Sequence, residues 1–258
     1  MNPPPPLLQV NNLAMRFGGL LAVSDVTFSL NEGQIMAIIG PNGAGKTTAF
    51  NCISGFYRPS CGTIRFKGEV ITTKPSHVIA RRGLVRTFQN IRLFSAMTVL
   101  ENLLVAQHTH LNTHLLSGLL QTRHYRRKEQ EAIEHALKWL NIMQLSGVVH
   151  REAGNLAYGQ QRKLEIARCM VTRPQLLLLD EPAAGLNPSE TAELTQLIRY
   201  LRDEHRVTVL IIEHDMKLVM TISEQILVLD RGIPIAAGNP AAIQQHPEVI
   251  RAYLGDDG

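Results

Sequence analysis

The chain has 258 residues, of which 45% are hydrophobic and 19% are charged. A chain of this size and composition buries roughly 70 to 75% of its unfolded surface as one domain, or as a main domain with a smaller lobe, so general disorder is excluded. The purely aliphatic runs, such as Leu176 to Leu179, are far shorter than the ~18 residues that cross a bilayer. The net charge of +4 suits either nucleic acid or an anionic lipid surface and does not choose between them.

The N terminus and the cysteines bear on the cellular compartment. Met1 to Pro6 offers neither the basic patch nor the apolar segment of an export signal, so we expect the protein to stay in the cytoplasm. Cys52, Cys61 and Cys169 show no C-x-x-C spacing and no companion histidine at metal-site distance. We therefore predict buried thiols rather than disulfides or a metal site.

The N-terminal part of the chain alternates apolar and polar residues in the manner of β-strands. The pattern predicts strands at Leu7 to Val10, Leu13 to Phe17 and Leu21 to Leu30, which would form an antiparallel β region. Ile35 to Ile39 is apolar on both faces, as in a strand buried in a parallel sheet. A glycine-rich turn and a helix through about Gly55 are expected to follow it.

Two later runs, Leu176 to Leu179 and Val207 to Ile212, are also apolar on both faces. A helical segment around Ser189 to His205 separates them. This β-α-β order predicts an α/β fold with a mostly parallel sheet at its core.

The middle of the chain, Thr98 to about Arg173, shows helical periodicity and predicts a helical lobe. The pattern predicts one helix at Gln160 to Val171 and a second that is marked by Glu131, Ile133, Leu137, Leu140 and Met143. Gln107 to Lys128 interrupts the pattern with histidines, a glycine and a basic run, Arg123 to Lys128, and we expect an exposed insertion there.

A phosphate-binding loop is predicted directly after the Ile35 to Ile39 strand. The sequence matches G-x-x-x-x-G-K-[ST] with Gly40, Pro41, Asn42, Gly43, Ala44, Gly45, Lys46 and Thr47, and Thr48 follows. Glycines let consecutive backbone N–H groups point inward, and the following helix adds its positive end, so the loop suits a polyphosphate. Lys46 is expected to reach the β- and γ-phosphates, and Thr47 to offer a hydroxyl to Mg²⁺.

Two acids, Asp180 and Glu181, follow Leu176 to Leu179 at the carboxyl end of a buried strand, where ligands bind open α/β sheets. Asp180 is a candidate Mg²⁺ ligand. Glu181, one residue on, points differently and is a candidate general base for an attacking water. Taken alone, the pair is also compatible with a surface turn.

Leu156, Ala157, Tyr158, Gly159 and Gln160 stand between the phosphate loop and the two acids. They resemble the signature L-S-G-G-Q of ABC ATPases, from which Ala157 and Tyr158 depart, and the resemblance runs over essentially the whole chain. Gln89 resembles the Q-loop glutamine, His214 the switch histidine and Phe17 the aromatic residue that stacks on adenine. Ala183 to Asn187 resembles the D-loop, with Asn187 in place of the usual Asp. Singly, Phe17 also suits a core position, Gln89 a strand end and His214 a helix cap.

The resemblance implies a P-loop NTPase of the ABC type, with a mostly parallel sheet core, an antiparallel β region and a helical lobe. It assigns residues 1–258 to one ABC ATPase domain, in which 7–90 and 174–258 form the β region and core and about 91–173 the helical subdomain. It also implies ATP and Mg²⁺ as ligands. The metal ligands it implies are Thr47, Gln89 and Asp180, and the catalytic residues are Lys46, Gln89, Glu181 and His214.

In this family the nucleotide lies between the phosphate loop of one subunit and the signature of another, so one chain holds only half-sites. Ala157 lacks the signature hydroxyl, and losing such a donor to a charged phosphate forfeits roughly 1.5 to 3 kcal/mol. We therefore hypothesise a heterodimer with a second ABC ATPase subunit that carries the fuller signature.

Several phrases are similar to the longer of the two paired ATPase subunits of branched-chain amino-acid importers. They are Asn155 to Arg162, Leu164 to Arg168, Glu181 to Pro188, Glu213 to Met216 and Ile250 to Gly255. The resemblance implies a peripheral protein at the cytoplasmic face of the inner membrane. It would bind two membrane permease subunits, depend indirectly on a periplasmic substrate-binding protein, and bind no nucleic acid.

Other functions remain open at this point. Related importers of urea or short amides are the first alternative, and a soluble ABC ATPase acting on nucleic acid or ribosomes through Arg123 to Lys128 is the second. The latter class usually carries two cassettes or long coiled-coil arms. A P-loop kinase would leave the signature helix unexplained. His108, His110 and His114 have no acid or thiol nearby and make a weak case for a metal site.

Overall fold

The computed structural model describes residues 5–108 and 123–254 of the chain. The chain divides into two compact units, the core unit of Met1–Arg86 with Gln175–Gly258 and the helical unit of Thr87–Pro174. The strands are β1 Leu8–Phe17, β2 Leu20–Leu30, β3 Ile35–Ile39, β4 Cys61–Phe66, β5 Glu69–Val70, β6 Leu84–Arg86, β7 Leu176–Asp180, β8 Thr208–Ile212, β9 Gln225–Asp230 and β10 Ile233–Gly238. The α-helices are α1 Lys46–Ile53, α2 Ser76–Arg81, α3 Val99–His108, α4 Arg123–Ile142, α5 Tyr158–Met170, α6 Pro188–His205, α7 Met216–Ile222, α8 Pro240–Gln244 and α9 Pro247–Leu254.

A six-stranded sheet of order β10-β9-β3-β8-β7-β6 organises the core unit. Its neighbouring strands are parallel, except that β10 runs antiparallel to β9. Every residue of β3, β7 and β8 is buried, which explains why these sequences are aliphatic without alternation. The predicted α/β fold with a mostly parallel sheet is confirmed.

The register of the central strands places their carboxyl ends at one edge of the sheet. Ile212, the last residue of β8, pairs with Ile38 of β3 on one side and with Asp180 of β7 on the other. The segments that follow these three strands therefore begin next to one another. They are the glycine-rich loop from Gly40, the acid Glu181, and the Glu213–His214 pair.

A second, four-stranded sheet of order β2-β1-β4-β5 belongs to the same unit. The sequence predicted two strands where the structure has β1 alone, and that prediction was wrong. The pairing of β1 with β2 is irregular between Val10 and Leu13, and Asn12 has a left-handed φ of 48°. This β-bulge accommodates the polar residues that interrupt the alternation without ending the strand.

The helical unit contains α3, α4 and α5, with short 3₁₀ turns at Ser146–Val148 and Ala153–Asn155. The predicted helix around residues 131–143 is confirmed, but its buried face differs from the expected one because Leu137 is 40% exposed. The buried positions of this segment are Ala132, Ala136, Trp139, Leu140 and Met143. Small alanines at two of these positions made the face hard to recognise from hydrophobicity alone.

The prediction of an exposed insertion from Gln107 to Lys128 was wrong at both ends of this range. Gln107 is buried, and its amide donates to the carbonyl of Ala132 at 3.0 Å. Arg123 to Lys128 lies within α4 rather than in a loop. Residues 109–122, with His110 and His114, are outside the described part of the chain.

The prediction that the three cysteines are buried is confirmed for Cys52 alone. Cys52 is buried, Cys169 is half-buried and Cys61 is exposed at the start of β4. Within residues 5–108 and 123–254, no helix has the length and apolar character needed to cross a membrane.

Candidate functional site

The glycine-rich loop joins β3 to α1, and two of its glycines are required by close contacts. Gly40 has φ 149°, and a Cβ there would lie 2.0 Å from the carbonyl oxygen of Leu229. Gly45 has φ 89° as the N-cap of α1, and a Cβ there would lie 2.6 Å from the carbonyl oxygen of Ala22. Only glycine tolerates both the left-handed backbone and the close approach. The loop therefore brings its N–H groups to the start of a helix, where anions bind favourably.

Lys46 crosses back over the loop that precedes it. Its Nζ donates to the carbonyls of Gly40 at 2.8 Å and Pro41 at 2.9 Å, and the residue is 7% exposed. Burial lowers the pKa of Lys46 from its ordinary value, while the carboxylates of Glu181 and Asp180 act in the opposite direction. The ammonium group is thus held beside the loop and the two predicted acids.

One cavity of about 480 Å³ brings most of the predicted phosphate site together. It is lined by Leu20, Leu21, Ala22, Asn42, Gly43, Ala44, Gly45, Lys46, Thr47, Thr48, Glu181 and Arg231. Thr47 is exposed, so its hydroxyl is accessible to a ligand. The predicted base thus shares a cavity with the predicted phosphate loop.

Asp180 ends β7 in a buried ion pair that the sequence did not indicate. Its Oδ2 accepts a hydrogen bond from Arg86 Nη2 at 2.6 Å, and the two side chains are 4% and 6% exposed. Arg86 Nη1 also donates to Asn51 Oδ1 on α1 at 2.7 Å and to Ser54 Oγ, at the C-cap of that helix, at 2.9 Å. The guanidinium therefore ties the strand end that carries Asp180 to the helix that follows the phosphate loop.

Glu181 and His214 meet at the carboxyl ends of β7 and β8. Glu181 Oε2 lies 4.0 Å from His214 Nδ1. The backbone of Glu181 has a left-handed φ of 46°, and its N–H donates to the Ile212 carbonyl at 2.9 Å. A non-glycine residue in this region costs energy and is enriched at functional sites. Glu181 is one of the residues that line the cavity.

Asn187, the departure from the D-loop pattern, caps α6. Its Oδ1 accepts from the Glu190 N–H at 3.0 Å, and Glu190 Oε2 accepts from the Asn187 N–H at 3.0 Å. This is a reciprocal capping box, which either Asn or Asp can form. The departure thus keeps the local function of the position.

The sequence did not indicate the apolar and basic residues that line the cavity. Leu20 and Leu21 line it although they are 68% and 41% exposed, and Arg231 lines it from the turn after β9. Phe17, the predicted adenine contact, is 43% exposed and packs edge-on against Tyr57 with ring centroids 5.4 Å apart. The available signal in the sequence was that apolar residues, Phe17 before and Leu20 and Leu21 after, flank the Gly18–Gly19 turn.

In the helical unit, the signature-like residues form the start of α5. Ala157 is the N-cap, with φ −60° and ψ 151°, and its N–H donates to Gln160 Oε1 at 3.4 Å. Alanine has no side-chain acceptor, so the reciprocal half of a capping box is missing. Leu156 is buried, Tyr158 is 45% exposed, and Gly159 is half-buried in the first turn.

Arg162 connects this helix to the segment of Gln89 within the helical unit. Its Nη1 donates to the Phe88 carbonyl at 3.0 Å and its Nη2 to the Gln89 carbonyl at 3.1 Å. Nη2 also donates to the Tyr158 hydroxyl at 3.1 Å. Tyr158, which departs from the signature, is thus a hydrogen-bond partner of Arg162. The side chain of Gln89 is exposed.

The donor set fits a nucleotide with a hard divalent cation. The loop N–H groups and Lys46 suit phosphate oxygens, and the hydroxyl of Thr47 and the carboxylate of Asp180 are oxygen ligands of the kind that Mg²⁺ prefers. Among the described residues no three His, Cys, Asp or Glu side chains cluster to hold a metal ion by themselves.

Comparisons with known proteins agree with this geometry. The profile of a family described as ABC transporter matches residues 23–184, and that of a family described as branched-chain amino acid ATP-binding cassette transporter matches residues 234–258. The chain is 61% identical over 251 residues to the high-affinity branched-chain amino acid transport ATP-binding protein BraF of Pseudomonas aeruginosa, covering 97% of this chain and 98% of that protein. It is 59% identical to LivG of Salmonella typhimurium, with the same coverage.

Solved structures show the same fold. The ADP conformation of MJ1267, an ATP-binding cassette of an ABC transporter, superposes with a TM-score of 0.84 at 34% identity, covering 97% of this chain and 99% of that one. CbiO1 from Clostridium perfringens, part of an ABC transporter complex, gives a TM-score of 0.80 at 27% identity, with coverage of 96% and 94%.

Proposed function

Because the chain belongs to the ABC transporter family, we propose that it powers the import of branched-chain amino acids through separate membrane permease subunits. Proteins of this family are ATPases, and the chain is one of them. The observation that carries the chemistry is that the phosphate loop, Lys46 and Glu181 line the same cavity. The substrate class is supported by the relatives BraF and LivG and by the match of residues 234–258.

We assign the following roles to the site residues, with support from the family match and from the cavity at the phosphate loop. The loop from Gly40 to Thr48 binds the phosphates of ATP, and Phe17 stacks on the adenine. Lys46 neutralises the β- and γ-phosphates. Glu181 accepts the proton of the attacking water, while His214, 4.0 Å from Glu181, holds the γ-phosphate and orients the carboxylate.

A bound Mg²⁺ would neutralise charge on the phosphate oxygens. We assign Thr47 and Asp180 as the residues of the core unit that hold it. The exposed hydroxyl of Thr47 and the oxygen chemistry of Asp180 support this assignment.

A second ATPase subunit completes each nucleotide site in this proposal. Leu156 to Gln160 would act on the nucleotide held by the partner, with the N–H groups and the positive end of α5 directed at its γ-phosphate. Because Ala157 has no hydroxyl where the signature has a serine, we favour a heterodimer whose other subunit carries the fuller signature. A mass measurement of the purified transporter that found two copies of this chain and no second ATPase would contradict the heterodimer.

The remaining partners follow from the transporter family. ABC transporter ATP-binding subunits work with membrane permeases, and we place the chain peripherally at the cytoplasmic face of the inner membrane. A periplasmic substrate-binding protein delivers the cargo to the permeases and acts on this chain only indirectly. Nucleic acid has no role in this proposal.

ATP hydrolysis by the assembled transporter tests the assigned roles. Glu181→Gln should retain ATP binding but lower turnover by on the order of 10² to 10⁴, because the amide cannot accept the proton. Lys46→Ala should abolish nucleotide retention itself. An unchanged rate in Glu181→Gln, or normal ATP affinity in Lys46→Ala, would overturn the corresponding role.

Uptake by the transporter reconstituted in vesicles with its binding protein tests the substrate class. We expect ATP-dependent uptake of radiolabelled leucine, isoleucine and valine, and its loss in Glu181→Gln. Uptake of urea or a short amide without uptake of leucine would overturn the assignment to branched-chain amino acids.

A further inference from the structure

A buried carboxylate, Glu213, joins the two loops that carry Glu181 and His214. It follows directly after β8 and is 0% exposed. Its Oε1 accepts a hydrogen bond from the N–H of Ala183 at 2.7 Å. Its Oε2 accepts from the N–H groups of His214 at 3.0 Å and Asp215 at 3.2 Å.

Both side-chain oxygens of Glu213 act as hydrogen-bond acceptors. Three backbone N–H groups converge on the side chain, and an ionised carboxylate is acceptor-only and can satisfy all three. Burial raises the pKa of Glu213 from its ordinary value, and the hydrogen bonds from Ala183, Asp215 and His214 counteract this effect. A neutral amide would turn an N–H₂ group toward at least one of these donors and lose that bond.

The contacts of Glu213 lie close to the reacting groups along the chain. Ala183 is two residues after Glu181, and His214 is the residue after Glu213. The loops are also joined by the hydrogen bond from the Glu181 N–H to the Ile212 carbonyl at 2.9 Å. The two loops are therefore joined by hydrogen bonds at two neighbouring places, close to the Glu181 and His214 side chains. Glu181 Oε2 and His214 Nδ1 lie 4.0 Å apart.

We propose that Glu213 is a positioning residue for ATP hydrolysis, whose carboxylate sets the distance between the Glu181 and His214 side chains by binding the backbone of both loops. This inference rests on the roles proposed above for Glu181 and His214. Glu213 itself touches no reacting atom. Its contribution is the pre-organisation of two groups that must act together on one water and one phosphate.

The expected kinetic signature is a loss of turnover with little loss of ATP affinity. Displacing a catalytic group by about 1 Å costs on the order of 10²-fold in rate. Lys46 is held instead by the Gly40 and Pro41 carbonyls, so ground-state binding of ATP does not depend on Glu213. A loss confined to kcat marks an interaction that acts only in the transition state.

Glu213→Gln in the assembled transporter is the central test, with Glu204→Gln as the matched control because Glu204 is exposed on α6. We expect Glu213→Gln to lower kcat by on the order of 10²-fold, with KM for ATP within about a factor of two of wild type. Glu204→Gln should leave both values unchanged. In Glu213→Asp the shorter carboxylate keeps its charge, and kcat should lie between those of wild type and Glu213→Gln.

Two further measurements separate positioning from mere stability and from failure of the proposed function. Amide hydrogen exchange at residues 181–184 and 212–215 should accelerate in the folded Glu213→Gln and Glu213→Asp proteins, while the rest of the chain keeps its protection. Glu181→Gln/Glu213→Gln should be no slower than Glu181→Gln alone, because the two residues act as one unit.

The inference is overturned if Glu213→Gln and Glu213→Asp keep wild-type kcat while Glu181→Gln loses it. It is also overturned if kcat falls only in proportion to the folded fraction. Wild-type kcat in Glu181→Gln would instead overturn the proposed role of Glu181, so the two failures are distinguishable.

Discussion

Arg162 and Glu165 form a buried ion pair one turn apart on α5, with Arg162 Nη1 and Glu165 Oε2 separated by 2.9 Å. They are 1% and 4% exposed. Glu165 Oε1 also accepts from the N–H groups of Phe88 and Arg92 at 3.3 and 3.4 Å. The pair therefore binds both the carbonyl and the N–H groups of the segment around Gln89. Within the helical unit, the hydrogen bonds of this ion pair hold the signature-like helix α5 against the segment that carries Gln89.

Removing one partner of this pair should destabilise the protein strongly. Arg162→Met leaves the Glu165 carboxylate buried without its cation, which typically costs about 3 to 5 kcal/mol. Burial already raises the pKa of Glu165 from its ordinary value, and Arg162 is the largest opposing influence. Urea unfolding of Arg162→Met, Glu165→Leu and the double variant measures the effect. We expect the double variant to lose less than the sum of the single losses, and simple additivity would contradict the coupling.

The sequence predicted those parts of the molecule whose physical cause is local. β3, β7 and β8 are buried on both faces, so their aliphatic runs identified them. The phosphate loop is one unbroken stretch of sequence, and so is the Asp180–Glu181 pair, so each could be recognised by itself. The structure brings Lys46 and Glu181 to one cavity.

Contacts between distant positions could not be predicted in the same way. Arg86 and Asp180 are 94 positions apart, and Ala183 and Glu213 are 30 apart. Neither spacing nor composition indicates such partners. The bulge in β1 was missed for a related reason, since the pairing with β2 absorbs residues that would end an isolated strand.

The second prediction concerns the ion pair of Arg86 with Asp180. Arg86→Met leaves a 3% exposed aspartate without its cation, which should cost about 3 to 5 kcal/mol of stability. Arg86→Lys restores the charge but not the planar fork that also reaches Asn51 and Ser54, so it should recover only part of the loss. Thermal unfolding checks both variants.

Arg65→Met is the control for this comparison, because Arg65 is exposed on β4 and its removal should change stability by less than about 0.5 kcal/mol. Equal stabilities of Arg86→Met and Arg65→Met would contradict a role for the buried charge pair.

The third prediction uses the incomplete cap of α5. Ala157 already has the extended backbone of an N-cap, and Gln160 already binds its N–H. Ala157→Ser would add an acceptor for the Gln160 N–H and complete the capping box, which should stabilise the protein by about 1 kcal/mol. Ala157→Val, which adds bulk without an acceptor, should give no gain. A melting temperature of Ala157→Ser no higher than that of Ala157→Val would contradict this account of the cap.

The last prediction concerns thiol reactivity, which depends on the thiolate and on access to it. Burial raises the pKa of Cys52 from its ordinary 9.0 to about 11 and that of Cys169 to about 12. At pH 8 their thiolate fractions should therefore fall by about 100-fold and 1000-fold relative to unshifted thiols. Cys61 is exposed, so a disulfide reagent should react rapidly with one thiol in each native chain and with three after unfolding in urea. Cys61→Ser should abolish the rapid phase; a rapid phase that survives in this variant would show that a second thiol is accessible in the native protein.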